Sequence, residues 1–118
     1  MRVTGIDHVV LRVRDLERAR AFYMDVLGCA LERRQEAIGM IQLRAGSQLI
    51  DLVDLAGKIG LKGGAAPGEE GRNMDHLCLT VADFDVEAAA AHLRRHGVEP
   101  GETGDRFGAS GKATSLYL

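Results

Sequence analysis

Two stretches decide how this chain reads: IDHVVLRVRD, residues 6–15, and MDHLCLTVAD, residues 74–83. Laid over one another, Asp7, His8, Leu11, Val13 and Asp15 coincide with Asp75, His76, Leu79, Val81 and Asp83. Each copy has the alternation of a β-strand, in which successive side chains point to opposite faces. In the first copy Val9, Leu11 and Val13 share one face, and His8, Val10 and Arg12 share the other. In the second copy Leu77, Leu79 and Val81 oppose His76, Cys78 and Thr80. The aliphatic faces need cover, so both histidines are expected on the opposite, more polar face. Asp7 and Asp75 have the parity of the apolar face, at the strand ends.

A helical pattern follows each copy. In LERARAFYMDVLG, Leu16, Ala19, Phe22, Tyr23, Val26 and Leu27 fall on one helical face, with Asp15 placed to cap the start and Gly28 to end it. In FDVEAAAAHLRRHG the stripe is Val86, Ala89, Ala90 and Leu93, with Asp83 or Asp85 as cap and Gly97 as stop. Strand patterns cover residues 30–36, 39–44 and 48–55, the last two joined by a Gly46-Ser47 turn. Residues 58–72 are glycine-rich and read as a linker. Residues 101–112 read as a loop and residues 112–118 as a strand. The expected organisation is therefore a first βαβββ module at residues 1–57, a linker at 58–72, and a second βαβββ module at 73–118 that lacks its last strand. Two units are too few for a solenoid. A duplicated α+β module with facing sheets fits better, a cup-shaped mixed sheet with its helices outside.

Composition narrows the function. A chain of 118 residues with 46% hydrophobic content can bury one compact core or two small ones. A net charge of -2 gives no basic field for nucleic acid and no polybasic patch for a membrane surface. No apolar run approaches the roughly 18 residues of a transmembrane helix. The N-terminal MRVTGIDHVV enters a strand pattern with no signal-peptide apolar core. Together with only two cysteines, Cys29 and Cys78, this gives the expectation of a cytoplasmic protein with reduced thiols.

Parity in QLIDLVD turns Ile50 and Leu52 toward the helix and puts Leu49, Asp51 and Val53 on the histidine face. His8, Asp51 and His76 thus belong to concave sheet faces. Two neutral imidazoles and a carboxylate are common ligands of a divalent transition metal. In the last strand Leu116 and Leu118 take the helix side, leaving Ser115 and Tyr117 inside.

The tract IDHVVLRVRDLERARAFYMDVLG resembles the opening of the vicinal oxygen chelate superfamily, the glyoxalase, bleomycin-resistance and extradiol dioxygenase fold. MDHLCLTVAD and its helix resemble the second module of that family, and GDRFGASGKATSLYL resembles the end of that module in small glyoxalase-like members. The resemblance implies paired βαβββ modules around one divalent metal ion (Zn, Ni, Mn, Co or Fe) that chelates two vicinal oxygens of a small-molecule substrate. It makes His8 and His76 the first-strand ligands and Asp51 the carboxylate of the first module, where the family usually has a glutamate. It also implies a fourth ligand, a glutamate doubling as catalytic base. The spacing from His8 to Asp51, applied to His76, lands one residue past Leu118, so that glutamate is expected beyond Leu118. Arg12, Cys78, Arg106, Lys112 and Tyr117 are the candidate substrate-binding residues, the three cations suiting an anionic substrate. The implied activity is a lyase or isomerase, of which lactoylglutathione lyase is one type. The alternatives are an Fe(II) extradiol dioxygenase, a fosfomycin-type thiol transferase, and a metal-free bleomycin-resistance-like binding protein, the last disfavoured by both histidines and by 4% aromatic content. A homodimer is implied, with the cup formed inside one chain or shared between two.

Overall fold

The computed structural model describes residues 1–71 and 74–118. It is α+β, with one mixed four-stranded sheet and one two-stranded sheet. Contacts divide the chain into a unit of residues 1–75 and a unit of residues 76–118. The expected boundary at residues 72 and 73 lies outside the described residues.

The first unit begins with strand β1 (His8–Val13). Helix α1 (Leu16–Ala21) follows, its first turn capped by the Asp15 carboxylate, which accepts from the Arg18 amide at 2.9 Å. The predicted single helix then widens into a π-turn at Phe22–Val26. There the Leu27 amide reaches back to the Phe22 carbonyl at 3.2 Å. The widened turn leaves Phe22, Tyr23, Val26 and Leu27 all half-buried while Asp25 stays in solvent. Gly28, at φ 75°, ends it in the left-handed conformation that a glycine adopts without strain. Strands β2 (Ala30–Gln35), β3 (Met40–Ala45) and β4 (Gln48–Asp54) complete the sheet in the order β1-β4-β3-β2. β1 runs parallel to β4, and the β4-β3-β2 pairs are antiparallel.

Register confirms the parity argument for this unit. Ile41, Leu43, Ile50 and Leu52 lie on the face toward α1 and are almost wholly excluded from solvent. Each such side chain contributes about 1.5–3 kcal/mol of burial. The other face carries His8, Leu49, Asp51, Gln42 and Arg12.

The glycine-rich segment is more structured than a linker composition suggests. Residues Gly60–Gly63 form a 3-10 turn. The Arg12 guanidinium donates to the carbonyls of Gly63 and Gly64 at 2.9 and 2.8 Å, of Gly60 at 3.0 Å and of Ala65 at 3.3 Å. Arg14 donates to the Pro67 carbonyl at 2.8 Å. A Cβ at Gly63 would stand 2.5 Å from the Arg12 Nε and Cζ, so the close approach depends on that glycine.

The second unit holds helix α2 (Val86–Arg95), capped by Asp85 rather than Asp83, and the antiparallel hairpin β5 (Thr103–Gly108) and β6 (Gly111–Leu116). Leu93 of α2 is its buried core residue. Two expectations are corrected here. Residues 103–108, read as loop for their glycines, form β5, because pairing with β6 supplies the ladder that composition alone does not. Residues 76–81, read as a strand copy of β1, are assigned to no strand. In the first unit β1 takes its hydrogen bonds from β4 alone. Within residues 76–118 there are counterparts of β2 and β3 but none of β4 among the described residues, so the second copy has nothing in its own unit to pair with.

Candidate functional site

Within the first unit, the polar sheet face brings His8 and Asp51 onto neighbouring strands: His8 pairs with Leu49, and Asp51 with Val10. Asp51 is 2% exposed. Its Oδ2 accepts from Gln42 Nε2 at 3.0 Å, and Gln42 Oε1 in turn accepts from Gln35 Nε2 at 3.1 Å. Its Oδ1 is buried and has no hydrogen-bond partner. A buried carboxylate oxygen left without a donor is unfavourable unless something outside the protein's own atoms meets it.

His8 is exposed, and its Nδ1 lies 2.7 Å from Asp7 Oδ1. The hydrogen bond to Asp7 raises its pKa, burial lowers it, and the Asp51 and Asp7 charges raise it further. Asp7, which parity assigned to the apolar face, instead precedes the first residue of the ladder and turns to the imidazole. An Nδ1–H held by a carboxylate leaves Nε2 as the ring's lone-pair donor, the arrangement usual for a metal-bound histidine.

Arg12 shares the parity of His8, but its N–H groups are committed to the carbonyls of residues 60–65, and its Nε is buried without an acceptor. The adjoining cavity, about 160 Å³ and lined by Val10, Leu11, Arg12, Pro67 and Met74, is small for an organic ligand.

Within the second unit, the His76 and Tyr117 rings meet edge-on with centroids 5.9 Å apart. The Arg106 guanidinium stacks 4.7 Å from the Tyr117 ring centre, and donates to Ser115 Oγ at 3.0 Å and Glu102 Oε1 at 2.8 Å. His76, Arg106 and Tyr117 are thus brought together, and Ser115 and Tyr117 share a face as parity predicts. Lys112 does not join them: its Nζ is 3.8 Å from Asp105, and the side chain is largely exposed. Cys78 is an exposed free thiol. Neither unit by itself gathers three or more metal-ligating side chains among its described residues.

Gln42, Gln35 and Asp7 are the residues that sequence reasoning missed. The available signals were the strand parity of Gln42, which matches that of Asp51 once β3 and β4 are paired, and the aspartate-histidine adjacency in both copies.

The glyoxalase/bleomycin resistance protein/dioxygenase family model matches residues 5–115. The chain belongs to that superfamily. Among curated members, human mitochondrial methylmalonyl-CoA epimerase is 25% identical over 111 residues, covering 91% of this chain and 62% of the epimerase. The chain therefore spans less than two thirds of that relative's length. A solved protein from the mobile metagenome of V. Pseudocholerae is 29% identical, with a TM-score of 0.75 over 100% of this chain and 87% of its own. Lactoylglutathione lyase from Agrobacterium tumefaciens shares the superfamily fold at a TM-score of 0.62 and 17% identity, over 98% of this chain and 85% of the lyase. Superfamily members are often enzymes, and no helix among the described residues is long and apolar enough to cross a membrane.

Proposed function

We propose that the protein is a metal-dependent enzyme of the isomerase or lyase type, moving a proton at a carbon beside a carbonyl in a small substrate that presents two vicinal oxygens. The observation that carries this reading is the buried, unpartnered Oδ1 of Asp51 on the same sheet face as His8, whose Nδ1 is held by Asp7. Similarity to an epimerase supports the isomerase side of the class.

His8 Nε2 and Asp51 Oδ1 are the donors that fit a divalent ion in the first unit. His76 is the sequence-equivalent imidazole, from the same chain or from a second copy in a homodimer. Nitrogen and carboxylate oxygen together suit Zn, Ni, Mn, Co or Fe. When bound, such an ion supplies Lewis acidity to a carbonyl oxygen on which negative charge develops. The chain's own residues do the rest. Asp7 holds the His8 ring in one tautomer and orientation, and the buried face keeps bulk water from Asp51.

The test is metal uptake by chelator-stripped, reloaded protein, read by elemental analysis. About one divalent ion per chain is expected, with His8→Ala and Asp51→Asn each losing it while circular dichroism stays that of the parent. A parent protein that takes up none refutes the reading. On metal-loaded protein, solvent deuterium exchange into candidate 2-oxo, 2-hydroxy and acyl-thioester substrates then narrows the substrate.

A further inference from the structure

We infer that Gln42, oriented by Gln35, is a positioning residue that makes Asp51 a one-oxygen ligand: it occupies Oδ2 with a fixed N–H and leaves Oδ1 as the donor atom. The inference rests on the metal reading above and adds to it two residues with no ligand role of their own.

The register is the starting point. Gln42 lies directly opposite Asp51 in the antiparallel β3–β4 pair, and Gln35 is opposite Met40, one pleat along β3 from Gln42. All three side chains therefore share the polar face. A glutamine amide has a donor end and an acceptor end, and rotation by half a turn exchanges them. The Asp51 carboxylate can only accept, so it draws the Gln42 NH₂, whose Nε2 is 3.0 Å from Oδ2, and Gln35 Nε2 holds that orientation from the other end by donating to Gln42 Oε1 at 3.1 Å. Gln35 is itself restrained, since its Nε2 also reaches Met40 Sδ at 3.5 Å.

The run of hydrogen bonds is directional and ends at a carboxylate whose second oxygen has no hydrogen-bond partner. If these amides served only to satisfy a buried carboxylate, the second oxygen would be expected to have a donor as well. Instead Oδ1 is buried and bare. A carboxylate with one oxygen taken by an N–H cannot swing to bind an ion through both oxygens, and its donated electron density is reduced. Both effects leave a bound cation more open and more electrophilic. Glutamine is suited to this position where glutamate is not, because a second carboxylate would oppose Asp51 instead of donating to it.

The test is a Co²⁺ titration of the whole chain, read from the visible absorption of the bound ion, whose position and intensity report coordination number. Four variants accompany the parent: Gln42→Leu, Gln42→Glu, Gln35→Glu and Gln35→Lys. Gln42→Leu and Gln42→Glu are expected to weaken Co²⁺ about 10–100-fold and to change the band shape. Gln35→Glu asks Gln42 to turn its NH₂ away from Asp51 and is expected to weaken binding in the same direction. Gln35→Lys keeps a donor toward Gln42 Oε1 and is expected to retain both affinity and spectrum. A purely structural role for the amides would lower the melting temperature of the metal-free variants and leave the Co²⁺ spectrum alone. Should Gln42→Leu fail to fold, the Gln35→Glu and Gln35→Lys contrast carries the test unaided. Parent-like binding and bands in every folded Gln42 and Gln35 variant overturn the inference while the metal reading stands. A parent that binds no Co²⁺ overturns both.

Discussion

Residues 8–13 and 76–81 share one alternation, with His, Leu and Val at matching positions, and have different fates. HVVLRV is the edge strand of a four-stranded sheet, paired along its length with β4, and HLCLTV lies outside any strand. The surroundings differ, not the pattern. The first copy lies beside β4, whose Leu49 amide donates to the Asp7 carbonyl at 3.1 Å and whose neighbour Leu55 donates to Val13 at 3.0 Å. The second has no such neighbour in its unit. Burial follows the same division. Ile41, Leu43, Ile50, Leu52 and Val53 give the first unit a core, whereas Leu93 is the one buried apolar side chain among the described residues of the second, and Leu79 and Val81 stay exposed. Alternation therefore specifies what a strand would present on each face, and only a partner decides whether the strand exists.

That contrast can be broken most forcefully through the core. Leu52→Ala is expected to cost about 2–5 kcal/mol in denaturant unfolding, and Leu79→Ala less than about 1 kcal/mol. Equal costs would mean that the second copy is packed as tightly as the first. Hydrogen exchange looks at the same difference without mutation. Amides in β4 and β3 should exchange at least about a hundredfold more slowly than those of residues 77–81. Comparable protection would require a ladder that the second copy does not have within its unit.

The histidines sharpen the comparison at the level of chemistry. If Asp7 orients His8, Asp7→Ala should weaken divalent-metal uptake about tenfold with little change in the fold. Isothermal titration of parent and variant measures it, and unchanged affinity would reduce the Asp7–His8 hydrogen bond to a surface contact. The cysteines differ as well. Burial pushes the Cys29 thiol above its ordinary range, while Cys78 is exposed. A thiol-specific chromophoric reagent should therefore label Cys78 about tenfold faster than Cys29.

The smallest expected effect concerns how each helix is fastened. In the first unit Glu17 of α1 bonds Arg34 of β2 at 2.6 Å and Arg20 at 2.8 Å, whereas Arg94 of α2 reaches only Glu99, five residues away, at 3.3 Å. The Arg34 and Arg20 hydrogen bonds pull the Glu17 carboxyl from 4.5 down to about 2. A carboxylate held lower in the folded than in the unfolded chain stabilises above the unfolded value and loses that contribution as pH falls through the folded one. The melting-temperature gap between the parent and Glu17→Gln should thus be small, present above pH 4.5, and gone near pH 2. A gap that persists at pH 2 would show that something other than charge is responsible.

What could be read from the letters alone follows the same physical line. Asp15 as cap, Gly28 as stop, the Gly46-Ser47 turn, and the shared face of His8 and Asp51 were all legible, because each depends on local spacing or on parity. Gln42 was not singled out, since its meeting with Asp51 requires the pairing of β3 with β4. Nor was the engagement of Arg12, whose acceptors are backbone carbonyls and so leave no side-chain signature. The loop reading of residues 103–108 went astray for a related reason: Gly104 and Gly108 argue against a strand locally, and the ladder with β6 outweighs them.

Arg12 and the glycines it meets carry a last consequence, for descent with change. A guanidinium shared among four carbonyls cannot be replaced by the single ammonium of lysine, and Gly63 cannot gain a side chain while the guanidinium is there. Among related chains, a side chain at position 63 therefore requires the flexible guanidinium of position 12 to move off these carbonyls, and glycine is the residue that lets it stay.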